Sequence, residues 1–194
     1  MSSKHGPSLP RDEYLTPRPL VKAALEQLRR KYPYFQPQTC LEPGCAWGAH
    51  LDYALETFPS IIYTVGVDLL EQPIAPEHEF ICGDFLAWNT DQRFDLIVTN
   101  PPFSIAEDCC LKMASLLSPG GVALVFERYG FYTTQGRVYG LWTEVNLREV
   151  WVCVQRPAMI GQVTTDSCEY SYYLFDASLA HCPVLLDWLD WKAP

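Results

Sequence analysis

Between residues 39 and 126, five short apolar runs alternate with segments of helical periodicity: Thr39 to Glu42, Ile61 to Val67, Phe80 to Cys82, Phe94 to Thr99 and Val122 to Phe126. Runs this short, and apolar at nearly every position, suit strands covered on both faces. Their alternation with helices predicts an α/β domain on a mostly parallel sheet. The strands' ends constrain it further. Each of the first four runs passes directly into polar or glycine-containing residues, and open α/β sheets carry ligand sites outside the carboxyl ends of their strands.

The helical segments fill in the rest. Thr16 is placed as an N-cap with Pro17 at the first helical position, and Leu20, Val21, Ala24, Leu25 and Leu28 share one face before Tyr32-Pro33 stops the helix. A second helix sets Leu51, Ala54, Leu55 and Phe58 on one face. A third opens on a Ser104 and Glu107 capping box, turns Ile105, Cys109, Met113, Leu116 and Leu117 to the core, and ends at Ser118-Pro119-Gly120-Gly121. Val150 to Val154 and Tyr170 to Phe175 read as two late strands, while residues 129–146 show no clear pattern. The stretch to about Asp12 has no periodicity and reads as a mobile arm. The Trp-rich tail, Trp188 to Trp191, packs into the core or forms an interface, with the core preferred.

With 194 residues, the chain has room for one domain with a substantial core and little for a second. No window holds 18 consecutive apolar residues, and the start has no signal-peptide pattern. No membrane association is expected. Eight scattered cysteines without a C-x-x-C pair suggest free thiols in a reducing, cytoplasmic compartment. Four dispersed histidines argue against a metal site. The net charge of -9 speaks against coating nucleic acid by charge alone. Yet residues 1–31 carry seven basic and three acidic side chains, a local +4 on a body of -13.

Three constellations carry chemistry. In Leu41-Glu42-Pro43-Gly44-Cys45-Ala46-Trp47-Gly48, a strand-to-helix turn lets backbone approach a ligand, and Glu42 supplies a carboxylate for a cationic or hydroxylated group. A tight turn without a ligand is the alternative. Asp68 follows the second strand about 20 residues later, where an acidic residue accepts from ribose hydroxyls. Asp84-Phe85 suits an adenine amino group and ring, or else is an exposed Asp beside a core Phe. Asn100-Pro101-Pro102-Phe103 is the most informative. Two prolines after a buried strand fix the chain and leave the Asn side chain and the Pro101 carbonyl as rigid acceptors. Two acceptors on a ring-conjugated amino group favour a pyramidal nitrogen and aim its lone pair at an electrophile. A fixed structural turn is the competing reading.

In this order and spacing the motifs resemble the S-adenosylmethionine-dependent amino-methyltransferases, specifically the γ-class DNA adenine-N6 methyltransferases of NPPF type. The E-P-x-C-A-x-G form of the turn and the T-P helix of Tyr14-Leu15-Thr16-Pro17 match that group. Arg156-Pro157, Thr165-Asp166-Ser167 and Tyr170 resemble its small phage-type members more loosely. The resemblance covers about Tyr14 to Phe175. It implies a Rossmann-like class I methyltransferase fold, a mostly parallel seven-stranded sheet with helices on both faces, and one catalytic domain over residues 13–194 after an arm at 1–12.

It further implies that Thr16, Pro17, Glu42, Gly44 and Ala46 line the methionine end of the cofactor S-adenosylmethionine. Asp68 with Leu69 would hold the ribose, and Asp84 with Phe85 the adenine. Asn100, Pro101, Pro102 and Phe103 would hold a flipped adenine of DNA for direct methyl transfer. A cytosine-C5 mechanism is disfavoured, since Cys182-Pro183 reverses the order that a nucleophilic cysteine requires. Only 15 residues separate Asp84 from Asn100, so no target-recognition domain fits there, and a protein partner would supply sequence specificity. The basic first helix with Arg128, Arg137 and Arg156 would line the DNA path, ordinary surface solvation being the alternative. An RNA adenine or protein glutamine methyltransferase, and a non-catalytic partner subunit of the same fold, are the rival readings.

Overall fold

The computed structural model describes residues 15–160, 165, 167–176 and 183–192. The arm at 1–12, Tyr14, Asp166 and Cys182 lie outside these residues. Eight strands form one sheet: β1 Thr39–Pro43, β2 Tyr63–Asp68, β3 Glu79–Cys82, β4 Phe94–Thr99, β5 Leu117–Arg128, β6 Leu147–Cys153, β7 Tyr170–Asp176 and β8 Leu185–Leu189. Their spatial order is β3-β2-β1-β4-β5-β7-β6-β8. All neighbouring pairs are parallel except the two that involve β7. The mostly parallel α/β expectation holds, with eight strands where seven were expected.

Both faces are covered, as the continuous apolar strands require. On one face α1 (Arg18–Lys31) and α2 (Ala49–Thr57) bury Leu20, Leu25, Leu51 and Ala54 against Leu96, Leu124 and Trp151. On the other, α3 (Ala106–Leu116) and α5 (Leu141–Glu144) bury Met113 and Trp142 against Ile97, Ala123 and Tyr173. A short α4 (Gln135–Tyr139) precedes α5 in the segment without sequence pattern.

Several local expectations change. Helix α1 starts at Arg18, with Pro17 at the N-cap and no side-chain cap, and Thr16 is buried instead of capping. The capping box of Ser104 and Glu107 does not form: a 3-10 turn over Phe103–Ile105 precedes α3, and Ile105 is 37% exposed. The face pointing inward holds Ala106, Cys109, Cys110, Met113 and Leu116, so Cys109, Met113 and Leu116 lie where the apolar count placed them and Ile105 gives way to Ala106. The Ser118–Gly121 stretch belongs to β5. Gly121 is needed there, because a Cβ would lie 2.9 Å from the Phe94 carbonyl oxygen. The tail forms edge strand β8, which pairs with β6 and leaves Trp188 62% exposed. Leu189 is buried, and Trp191 packs on the α1 side with its indole N–H donating to the Gln155 carbonyl at 2.9 Å.

Candidate active site

Strand β1 pairs with β2 on one side and β4 on the other, so consecutive connections leave its carboxyl end in opposite directions. A crevice opens at such a switch point. The residues singled out by sequence at the ends of β1, β2, β3 and β4 all border this end of the sheet.

The turn after β1 takes three left-handed residues, Gly44 (φ 60°), Ala46 (φ 42°) and Gly48 (φ 71°). A Cβ at Gly44 would meet nothing within 4 Å, so its backbone faces open space. Cys45 tucks inward over β2, where its Sγ would lie 2.8 Å from any Cβ at Gly66. Burial, then the Glu42 and Asp68 charges, push the Cys45 thiol well above its ordinary value, and burial pushes Cys109 up to about 12. Neither is a ready thiolate nucleophile.

Asp68 fastens the turn from the neighbouring strand. Its Oδ2 accepts from Ala46 N–H at 3.0 Å and its Oδ1 from Leu70 N–H at 3.1 Å. The lone pairs left over on a half-buried carboxylate remain available to hydroxyl donors. Leu69 beside it is exposed. Asp84 is exposed and its Oδ1 accepts from Leu86 N–H at 2.9 Å. Phe85 lies in the core at 7% exposure. Leu69 and Leu70 are the exposed apolar side chains on the adjoining loop.

Glu42 is also interior. At 3% exposure, its Oε1 lies 2.5 Å from His50 Nδ1 and its Oε2 accepts from Leu51 N–H at 3.2 Å. Among the described residues the buried Thr16 hydroxyl has no hydrogen-bond partner, a deficit that a polar group arriving beside it would remove. Pro17 is half-buried and its carbonyl starts α1 by accepting from Leu20 and Val21.

The Asn100–Phe103 loop leaves β4 directly, with Pro101 buried and Asn100, Pro102 and Phe103 half-buried. Thr99 donates its hydroxyl to the Pro43 carbonyl, which bolts this loop to the turn after β1. The Arg128 guanidinium lies over the Phe103 ring, 4.6 Å from its centroid. Tyr170 flanks Phe103 at 6.2 Å and stacks on Phe126 at 5.2 Å, giving an aromatic wall from β5 and β7. Tyr170 and His50 were not marked as site residues by the sequence. Only a polar residue on the apolar face of the second helix hinted at His50.

Several of the basic groups expected along a nucleic-acid path are engaged with acids, while Arg29 and Arg30 bond to the Thr57 carbonyl and the Gln27 amide oxygen. Arg137 pairs with Glu107 at 3.2 Å, and Arg156 binds Glu169 through both Nε and Nη2. On α1, Arg18 meets Asp52, Lys22 meets Glu56 at 2.7 Å, and Lys31 meets Glu149 and Asp187 at 2.7 and 2.6 Å. The helix is thereby a packed element of the body, and the charges of Arg18, Lys22 and Lys31 are met locally. No described helix is long and apolar enough to cross a membrane.

Comparison with solved structures decides the fold. Superposition on a protein of Listeria monocytogenes assigned to the class I S-adenosylmethionine-dependent methyltransferases gives a TM-score of 0.73 over 98% of this chain and 70% of that one, at 15% identity. The fold is the class I methyltransferase fold. No protein-family model matches the chain. By sequence it is 32% identical over 94 residues to the type II methyltransferase M.CvrRI of Paramecium bursaria Chlorella virus XZ-6E, covering 46% of this chain. It spans only 24% of that viral protein's length. It is 26% identical over 163 residues to the ribosomal RNA large subunit methyltransferase E of Desulfatibacillum aliphaticivorans, covering 67% of this chain and 78% of that protein.

Proposed function

We propose that the chain is an S-adenosylmethionine-dependent N-methyltransferase acting on the N6 amino group of adenine in DNA. The observation that carries this reading is the Asn100-Pro101-Pro102-Phe103 loop, set at the end of β4 and tied by Thr99 to the turn after β1. When bound, S-adenosylmethionine supplies an electrophilic methyl group. The open backbone at Gly44 and the orphaned Thr16 hydroxyl fit its methionine end, and Asp68 fits its ribose hydroxyls. Leu69 and Leu70, exposed on the adjoining loop, would cover the adenine beside Asp84 and Phe85.

The Asn100 side-chain oxygen and the Pro101 carbonyl accept the two hydrogens of the target amino group and direct its lone pair across the crevice. Phe103 stacks on the base. A base paired in a duplex must be extruded to reach this loop. The type II methyltransferase similarity supports DNA as the substrate. Sequence choice would come from a protein partner or further chain, and the DNA would approach past Arg128.

RNA adenine is the second reading. The ribosomal RNA methyltransferase similarity spans more of both proteins, and the ion-paired arginines reduce the positive surface that duplex binding draws on. Incubation with methyl-labelled S-adenosylmethionine and, separately, DNA, RNA and protein tests the assignment. Label is expected in adenine of DNA and lost about a hundredfold in Asn100→Ala, the scale of a lost transition-state hydrogen bond. Label in RNA or protein alone moves the substrate, and label in none removes the enzyme reading.

A further inference from the structure

Beneath the turn after β1, three polar side chains from three elements are buried together: Glu42 of β1, His50 of α2 and Tyr172 of β7, none above 3% exposure. Glu42 reaches forward to residues 50 and 51, with His50 Nδ1 at 2.5 Å and the Leu51 N–H at 3.2 Å. Leu51 stands in the first turn of α2, whose N-cap, Gly48, offers no side chain. The carboxylate therefore fills the role of a missing cap and clasps the two ends of the Pro43–Ala49 loop to each other.

The proton positions follow from donor and acceptor chemistry. An ionised carboxylate only accepts, so His50 carries a hydrogen on Nδ1. Its Nε2 then accepts, and faces the Tyr172 hydroxyl in a long contact of 3.5 Å. Complete burial pushes Tyr172 well above its ordinary value, so that hydroxyl keeps a hydrogen to donate. With Nδ1–H donating to Glu42 and Nε2 accepting from Tyr172, all three groups are satisfied.

We propose that His50 is a positioning residue for cofactor binding: its Nδ1–H fixes the Glu42 carboxylate on the first turn of α2 and thereby sets the Gly44–Gly48 loop. This rests on the reading of the chain as an S-adenosylmethionine-dependent enzyme. Glu42 acts as a clasp, and His50 acts through it.

The test is calorimetric titration of S-adenosylmethionine into the wild-type chain, His50→Phe and His50→Asn, with the KM of each substrate measured alongside. Phenylalanine fills the site without a donor, whereas the asparagine amide nitrogen stands close to where Nδ1 stood. His50→Phe is expected to weaken cofactor binding roughly tenfold or more, the size of a lost hydrogen bond to a charged group. His50→Asn is expected to return it to within about threefold of wild type, by the same conversion of free energy to affinity, and the KM for the methyl acceptor should stay unchanged in both. Equal affinity of wild type and a folded His50→Phe overturns the proposal, as does an asparagine variant no better than the phenylalanine one. Failure of the wild-type chain to bind S-adenosylmethionine overturns the enzyme reading itself, and the inference with it. If His50→Phe does not fold, the 15N shifts of His50 in the wild-type chain decide. A hydrogen on Nδ1, together with rescue by asparagine, supports the proposal; the opposite tautomer, with Nδ1 bare, overturns it.

Discussion

Ala46 shows what the turn after β1 demands of single residues. It holds a φ of 42° between two left-handed glycines, a conformation that costs an alanine about 1 kcal/mol and persists only where its surroundings enforce it. The Asp68 carboxylate bonded to the Ala46 N–H is that enforcement. Gly44→Ala isolates the backbone term, because its new methyl meets no protein atom within 4 Å. Urea unfolding should register a loss of about 1 kcal/mol. Cofactor affinity should fall further than stability alone predicts, since the methyl enters the space left for the ligand; unchanged affinity by calorimetry would show that the ligand lies elsewhere. Glu42 was legible as a carboxylate at the turn after β1, but its company was not. His50 reaches it from 8 residues away and Tyr172 reaches His50 across 122, and only folding brings such a separation to contact distance.

At the scale of elements, helix α3 separates apolar count from burial. Its sequence offers Ile105 as the first core position, yet the 3-10 turn that follows Pro102 rotates the chain before the helix begins. Ile105→Ala should therefore cost under about 1 kcal/mol, whereas Met113→Ala, fully buried, should cost about 2–5 kcal/mol. Equal losses in thermal or urea unfolding would contradict the placement. Strand β8 makes the same point at the edge of the sheet. Trp188→Ala should change stability by no more than about 0.5 kcal/mol, while Trp151→Ala, buried beneath α1, should cost about 3–5 kcal/mol. A composition-based preference for burying tryptophan fails at Trp188 because pairing with β6 consumes the backbone and turns that ring outward.

Across the whole molecule, ion pairs tie α1 to the rest, and their titration sets a pH window. The hydrogen bond from Lys31, then that from the Trp188 backbone, holds the Asp187 carboxyl below the ordinary aspartate range. A depressed carboxyl contributes stability above its unfolded value and loses it as pH falls through the folded one. Lys31 is raised: burial opposes the shift, but its bonds to Asp187 and Glu149 outweigh it. That contribution is complete below the ordinary lysine range and is lost as pH rises through the folded value. Unfolding midpoints should thus stay level across neutral pH and decline at both extremes. Lys31→Met should flatten the acid limb, which a series of denaturant titrations would detect. The same pairs bear on nucleic acid, because a helix whose cations already face Asp52, Glu56, Glu149 and Asp187 has less charge to offer phosphates.

The sequence by itself determined the strands β1 to β5 to within a few residues, the α/β class, and the placement of every candidate polar group at a strand's carboxyl end. Those features are local: a short apolar run and the residue that ends it lie next to each other in the chain. Tertiary structure alone decided the eighth strand, the burial of Phe85 and Glu42, and the acidic partners of the arginines. Each depends on groups tens of residues apart, such as Arg18 with Asp52 across 34 positions and Lys31 with Asp187 across 156. The physical reason is that solvation of a charge or an aromatic ring is set by its neighbours in space, and periodicity along a chain carries no record of them.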